Sequence, residues 1–400
     1  MRIAILNQPL GNRGDEAAHK ALMRTLVKEF PQHRFAVILL NVQPDLIDTF
    51  KVPTVEYINI RGTSKAAIRS ILIAYTLSNG NIALIHPLLK KFRNTISSFD
   101  AIICAPGGIC MGGFMNWYHI WELDIALKLN KPVYYWGRSI GPFTEDDYLH
   151  RLFKKNSSRL LKQFNYVSLR DKISCRIASE LGVNADEVVD SAFLETPVAD
   201  IPDDIHKLIS DDYVVYVPNS LTWHYNYNNV PQEIVDKFNL EIMRLLVERF
   251  PKSMIVMMPQ TYNSRINDYQ YFRDLGQLSD KPERIAVLDE TINSDIQQSI
   301  IRKSKLVIGA RYHSIVFAIN NNVPFISLSY EHKMFGLLET LDLTRQIVRI
   351  DDIFKDKNKQ ASTIQAVRKL LYDPLVPVSS IVAKKIVQKG FENMSQRLKL

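Results

Sequence analysis

Lys305-Leu306-Val307-Ile308-Gly309-Ala310-Arg311-Tyr312-His313-Ser314 passes from an apolar run to a polar turn and into a helical pattern within ten residues. Its apolar part is short, β-branched and closed by glycine, which predicts a strand at 305–308; the spacing after the turn predicts a helix at 313–321. The same unit repeats around it. Strands are expected at 213–218, 253–258, 284–288 and 324–329, and helices at 232–250, 268–278, 294–302 and 333–341. The N-terminal half alternates likewise, with strands at 2–7, 34–40, 100–105, 132–136, 166–169 and 187–190 and helices at 16–30, 117–130, 145–164 and 172–181. These strand runs are rich in Val, Ile and Tyr and do not alternate in polarity, as strands covered on both faces should be. Strand–helix alternation implies right-handed crossovers and parallel sheets. Residues 196–212, with Pro197, Pro202 and a run of acids, read as a linker. The expectation is an α/β chain of two Rossmann-like, doubly wound lobes facing a cleft, at 1–196 and 212–375. A basic amphipathic helix follows at 376–400, carrying Lys384, Lys385, Lys389, Arg397 and Lys399 against Glu392. A length of 400 residues agrees with two domains.

Composition narrows the function classes. Hydrophobic residues make up 46% and charged residues 23%, which excludes a disordered chain. The net charge of +8 favours anionic partners. No basic stripe interleaved with aromatics occurs, so nucleic acid is not expected among them. Cys104, Cys110 and Cys175 form no C-x-x-C pair, which argues against a disulfide-stapled or zinc-ribbon fold and for a reducing compartment. Ile3-Ala4-Ile5-Leu6 is too short for an export signal, so the expected location is the cytoplasm. The nine histidines are scattered without metal-ligand spacing, and no metal is expected. Residues 70–89 carry no charge but are broken by Ser78-Asn79-Gly80-Asn81 and by Pro87. They read as two short buried segments rather than a membrane span. Shallow, peripheral docking on a membrane, helped by Lys90, Lys91 and Arg93, is the second reading.

In doubly wound sheets ligands lie beyond the carboxyl ends of the strands. Asn12-Arg13-Gly14-Asp15 opens a helix there, a capped N-terminus of the kind that attracts anions, and Asp15 is placed to orient or deprotonate a sugar hydroxyl. It is neither a G-x-G-x-x-G loop nor a P-loop. Gly107-Gly108 and Gly112-Gly113 let backbone approach a ligand, while Cys110 between them reads as a small core residue rather than a nucleophile. Arg170-Asp171 is either a pair holding loops together or a planar fork for an anion. Arg311 and His313 flank one helix start, and Lys333 supplies a further cation one strand later. Trp117, Trp223 and Tyr225 are sugar-stacking rings or core.

Taken in order, these pieces resemble the polysaccharide pyruvyl transferase family: N-x-G-D-E-A from Asn12, the glycine loop at Gly107, G-x-S-I-G-P from Gly137, Arg170-Asp171, Asp190-Ser191-Ala192-Phe193, G-x-R-x-H-S from Gly309, and the segment ending at Lys333. The resemblance implies a GT-B-like fold. It also implies transfer of the pyruvyl group of phosphoenolpyruvate onto two hydroxyls of a sugar, releasing phosphate and leaving a cyclic ketal. The acceptor would belong to a surface or capsular polysaccharide or its lipid-linked precursor, and no cofactor would be needed. Carried over position by position, Arg170 and Arg311 bind the donor, His313 is the catalytic acid and Asp15 the N-terminal aspartate. Arg138, Ser314 and Lys333 extend the donor site, and Asn12, Gly14, Gly107 and Gly108 form the acceptor-side loops. Arg138 and Tyr312 stand where relatives often have a smaller polar residue and leucine. A carboxylate and a phosphate on one small molecule suit two arginines, and a histidine titrating near neutrality suits protonation of a methylene carbon. Two alternatives stand beside this reading: a glycosyltransferase taking a nucleotide sugar, with Glu331 or Glu339 on the ribose, and a non-catalytic assembly subunit.

Overall fold

The computed structural model describes residues 1–61, 65–78, 87–224, 226–263, 266–373 and 376–399. In chain order the first half runs β1 (Arg2–Leu6), α1 (Arg13–Glu29), β2 (Arg34–Leu40), α2 (Pro44–Asp48), β3 (Glu56–Ile60), α3 (Lys65–Ser78), α4 (Pro87–Ser97), β4 (Ala101–Cys104), β5 (Gly107–Met111), α5 (Trp117–Lys128), β6 (Val133–Ile140), α6 (Tyr148–Gln163), β7 (Tyr166–Leu169), α7 (Lys172–Glu180) and β8 (Asp186–Glu187). The second half runs α8 (Asp203–Ile209), β9 (Tyr213–Val217), α9 (Gln232–Arg249), β10 (Met254–Met257), β11 (Tyr262–Asn263), β12 (Ile266–Asn267), α10 (Asp268–Gln277), β13 (Ile285–Val287), α11 (Ser294–Lys303), β14 (Val307–Gly309), α12 (Tyr312–Asn320), β15 (Phe325–Ser329), α13 (His332–Thr340), β16 (Ile347–Arg349), α14 (Lys357–Tyr372) and α15 (Ile381–Leu398).

Two compact units result. One holds Met1–Leu10, Ala18–Leu194 and Lys384–Leu400; the other holds Gly11–Ala17 and Glu195–Ala383. The division differs in two places from a simple cut at the linker: the loop opening α1 groups with the second unit, and most of the tail helix groups with the first. The linker itself contains α8, whose Ile205 and Ile209 are buried.

The sheet of the first unit has the order β3-β2-β1-β4-β6-β7-β8, with β5 also paired to β6. Every pair in it is parallel. Ile3, Ala4, Ile5 and Leu6 are fully buried between β2 and β4, as a central strand without polarity alternation should be. The segment expected to be a glycine loop is instead β5, in register with β6 at Gly107 opposite Arg138 and Met111 opposite Ile140. It could not be seen as a strand because its pairing partner, not its composition, makes it one. The tail helix closes this unit: the Tyr134 hydroxyl donates to the Arg397 carbonyl (2.9 Å), the Phe391 ring meets Trp136 edge-on, and Gly390 leaves room for Val188.

The second unit has a six-stranded parallel sheet, β13-β10-β9-β14-β15-β16, and a small antiparallel pair, β11 with β12. In each sheet the strand order reverses beside the first strand, between β1 and β4 and between β9 and β14. Those reversal points are where a doubly wound sheet opens a crevice for ligands.

Candidate active site

At the reversal point of the second unit, β9 delivers Asn219 and β14 delivers Arg311. The turn after β14 is tight: a Cβ on Gly309 would fall 2.0 Å from Ser314 Oγ. That hydroxyl donates to the Arg311 carbonyl (2.6 Å) and closes the first turn of α12, so Ser314, expected at the donor, braces the turn. Arg311 is 6% exposed. Its Nη2 is paired with the carboxylate of Asp268, which also accepts the Gln260 and Thr261 amides at 3.1 and 2.9 Å. Burial works against the guanidinium charge, but Asp268, Tyr330 and Glu331 more than restore it, and the pKa of Arg311 lies above its ordinary value. The Trp223 ring lies 5.6 Å below the guanidinium, and its indole N–H donates to Asn219 Oδ1 (3.0 Å). Arg311 Nε is a buried donor with no hydrogen-bond partner among the described residues. Such a donor at a ligand crevice suits an incoming acceptor group.

His313 follows on the first turn of α12, held edge-on by Tyr312 and tilted against Phe317. The loop of residues 11–17 packs onto it. A Cβ on Gly14 would stand 1.8 Å from both Cγ and Nδ1 of the His313 ring, so glycine is required there by the imidazole. Asn12 fixes the loop: its Oδ1 accepts the Gly14 and Asp15 amides (2.7 and 3.3 Å), capping α1, and its Nδ2 donates to Thr261 Oγ1 (3.1 Å). Arg13 and Glu16 are buried and paired at 2.5 Å, and Glu16 also accepts the amide and hydroxyl of Ser294. Asp15 is left half-buried on the first turn. Beyond β15, the Lys333 ammonium lies 2.7 Å and His224 Nε2 3.3 Å from the two carboxylate oxygens of Glu331. Burial alone would raise that carboxyl, but Lys333 and His224 hold it well below the usual range. Within one unit the structure therefore brings together Asn12, Gly14, Asp15, Arg311, His313 and Ser314, with Lys333 on the neighbouring strand end.

The remaining expected residues belong to the first unit. Arg138 is fully buried. Its Nε donates to the Ala105 carbonyl (2.6 Å), Nη2 to Asn7 (2.5 Å), and Nη1 to Gly108 (3.3 Å) and Cys110 Sγ (3.0 Å). It ties the ends of β1, β4 and β5 together and lines the wall of the first unit's cavity. Arg170 is 1% exposed. Nη1 lies 2.5 Å from Asp190 and Nε donates to Ser139 Oγ, whose own proton goes to Asp171. The loop-holding pair is thus Arg170–Asp190, while Asp171 caps α7. Gly107 and Gly108 lie in β5, with open space about Gly108. Trp117 packs edge-on against Phe153 in the core. Tyr225 lies outside the described residues.

The first unit also has a cavity of about 560 Å³ at its own reversal point, lined by Asn7, Leu40, Cys110, Asn116, Tyr118 and Glu122, among others. Such a volume suits a small-molecule site. Burial pushes the Glu122 carboxyl up to about 8, against the pull of the Asn7 amide and Arg138. Neighbouring His119 is held neutral by burial and by Arg138. Sequence reasoning missed Glu122, although a signal existed: it sits in Trp117–Lys128, a helix buried on nearly every side, where a carboxyl is out of place. Asp268 and Asn219 had no such signal. Among the described residues no group of three or more His, Cys, Asp or Glu side chains could hold a metal ion.

A sequence profile described as polysaccharide pyruvyl transferase matches residues 12–332, which include Asn12, Gly14, Asp15, Arg170, Arg311 and His313. The chain belongs to the polysaccharide pyruvyl transferase family. This makes the protein an enzyme of the transferase class associated with polysaccharide biosynthesis. The pyruvyl transferase is 23% identical over 377 residues to the amylovoran biosynthesis protein AmsJ of Erwinia amylovora, covering 86% of each chain. Its fold is similar to that of the UDP-GlcNAc 2-epimerase of Methanocaldococcus jannaschii, with a TM-score of 0.58, 14% identity and coverage of 99% and 100%. A ugt transferase of Siraitia grosvenorii in complex with UDP gives 0.56 and 12%, with 99% of each chain covered. These likenesses establish a GT-B-like fold for the transferase.

Proposed function

We propose that the transferase moves the pyruvyl group of phosphoenolpyruvate onto two hydroxyls of a saccharide, forming a cyclic ketal and releasing phosphate. The observation that carries this reading is the second-unit cluster, in which a buried, charge-supported Arg311 with an unpartnered Nε lies at a strand-order reversal, two residues from His313. Arg311 would hold the anionic donor, with Lys333 adding positive charge. His313 would give a proton to the methylene carbon while the first hydroxyl bonds to the adjacent carbon and loses its proton to Asp15. The carbon–oxygen bond to phosphate then breaks, phosphate leaving with the proton held by Asp15, and the second hydroxyl closes the ring and returns its proton to His313. Arg170, held by Asp190 and Ser139 inside the first unit, fits a scaffolding role better than a place on the donor, whereas Arg138 lines the cavity of that unit. The cavity beside Glu122 is our candidate for saccharide binding, since Tyr118 offers a stacking ring and Asn116 and Glu122 offer polar partners. Glu331, the carboxylate that a nucleotide-sugar reading would place on a ribose, already has both oxygens engaged.

The test is phosphate release from phosphoenolpyruvate over a panel of galactosyl, glucosyl and N-acetylhexosaminyl acceptors. His313→Gln should lose at least about 100-fold in kcat, the lower end of what general acid catalysis contributes, while still binding phosphoenolpyruvate. Turnover of nucleotide sugars in place of phosphoenolpyruvate would overturn the proposal.

A further inference from the structure

We infer that α3 and α4 form a docking face for an anionic lipid bilayer. From Tyr57 to Phe99 the chain contains no Asp or Glu, yet it carries Arg61, Lys65, Arg69, Lys90, Lys91 and Arg93. A stretch of that length without one acid is unusual, since both signs are normally interspersed. The helices explain what the bias serves. Tyr75 fastens α3 to the unit by donating its hydroxyl to Asp124 of α5 (2.7 Å). Ile73 and Leu77, four residues apart on the opposite side of α3, are 61% and 82% exposed. On α4, Leu89, Phe92 and Ile96 are buried while Lys90 and Lys91 are exposed. Between them, α3 exposes large apolar side chains and α4 exposes lysines, the two components of an element that lies in the headgroup region. Among the described residues no helix is long and apolar enough to cross a membrane, so this contact is peripheral. The absence of acids selects an anionic surface over a protein surface of mixed charge. If the transferase reading above holds, a lipid-linked saccharide would reach the enzyme in the plane of that same surface.

The experiment floats the 400-residue chain with phosphatidylcholine vesicles, with and without phosphatidylglycerol. The protein should rise with the anionic vesicles only. Ile73→Asp with Leu77→Asp should abolish flotation. Lys90→Gln with Lys91→Gln should weaken it roughly 30-fold, from a several-fold contribution per lysine near the surface. Lys385→Gln with Lys389→Gln on the tail helix should leave it unchanged. Three results would overturn the inference: no flotation with anionic vesicles, flotation that depends on the tail lysines but not on α3 and α4, or self-association that Ile73→Asp removes. Because vesicle binding is read without turnover, this outcome is separate from that of the phosphate-release assay.

Discussion

Replacing Gly14 by alanine puts one methyl group where the His313 imidazole, the acid of the proposed reaction, stands. The added carbon would lie 1.8 Å from Cγ and Nδ1 of His313, whereas ordinary contact begins at 3.4 Å, so the ring must withdraw by about 1.6 Å. These are atoms near the root of a buried side chain, and Tyr312 and Phe317 flank the ring, so small rotations do not relieve the clash. Overpacking of this kind costs about 1–3 kcal/mol of stability. The catalytic effect should be larger, because a displacement of about 1 Å in a reacting group typically costs on the order of 100-fold. Gly14→Ala should therefore lose at least that much in kcat for phosphate release, with a modest fall in Tm and nearly unchanged donor affinity. Adding His313→Ala should recover most of the lost Tm, because it removes the ring that the methyl group strikes. A Gly14→Ala enzyme with unaltered kcat and Tm would refute both the contact and the role given to His313.

Other substitutions probe the charges. Asp268→Asn leaves Arg311 buried without its counter-charge and should cost about 3–5 kcal/mol; phosphoenolpyruvate should then raise Tm more than it does in the unaltered enzyme, which thermal scans with and without donor would measure. Arg170→Ala should cost a similar amount by stranding Asp190, and the Arg170→Ala, Asp190→Ala double variant should regain part of it in chemical denaturation. Glu122 titrates near 8 in the folded protein against 4.5 as an ordinary carboxyl, so the native state keeps a proton that the unfolded chain sheds. Its contribution is complete below pH 4.5 and declines toward pH 8, by about 1.4 kcal/mol per pH unit inside that window. Glu122→Gln should flatten the dependence of stability on pH between 5 and 8.

The fold was legible wherever a strand is buried on both faces and stops at a glycine or a polar turn, as at Ile3–Leu6 and Val307–Gly309. It was not legible where pairing alone makes the strand. Gly107–Met111 reads as a loop because half its attraction comes from β6, and Glu56–Ile60 alternates too weakly to stand out at a sheet edge. Among site residues, Arg311 and His313 announce themselves by sharing one helix start. The partners that complete the cluster, Asp268 and Asn219, lie 43 and 92 positions away from Arg311 and are joined to it only by the sheet order. Arg138 and Arg170 show what one dimension leaves out: the carbonyls around the first, and the Asp190 carboxylate beside the second, come from distant strands and are visible only in the fold.

The return of the last helix to the first unit bears on how the protein is made. Tyr134, Trp136 and Val188 wait for partners more than 200 residues further along the chain. Domains usually mature from the N-terminus while synthesis continues, but here the first sheet keeps an unsealed apolar flank until α15, about 200 residues later, has been made. A fragment ending at Leu194 should be sticky and poorly soluble, and removing α15 should injure the first unit.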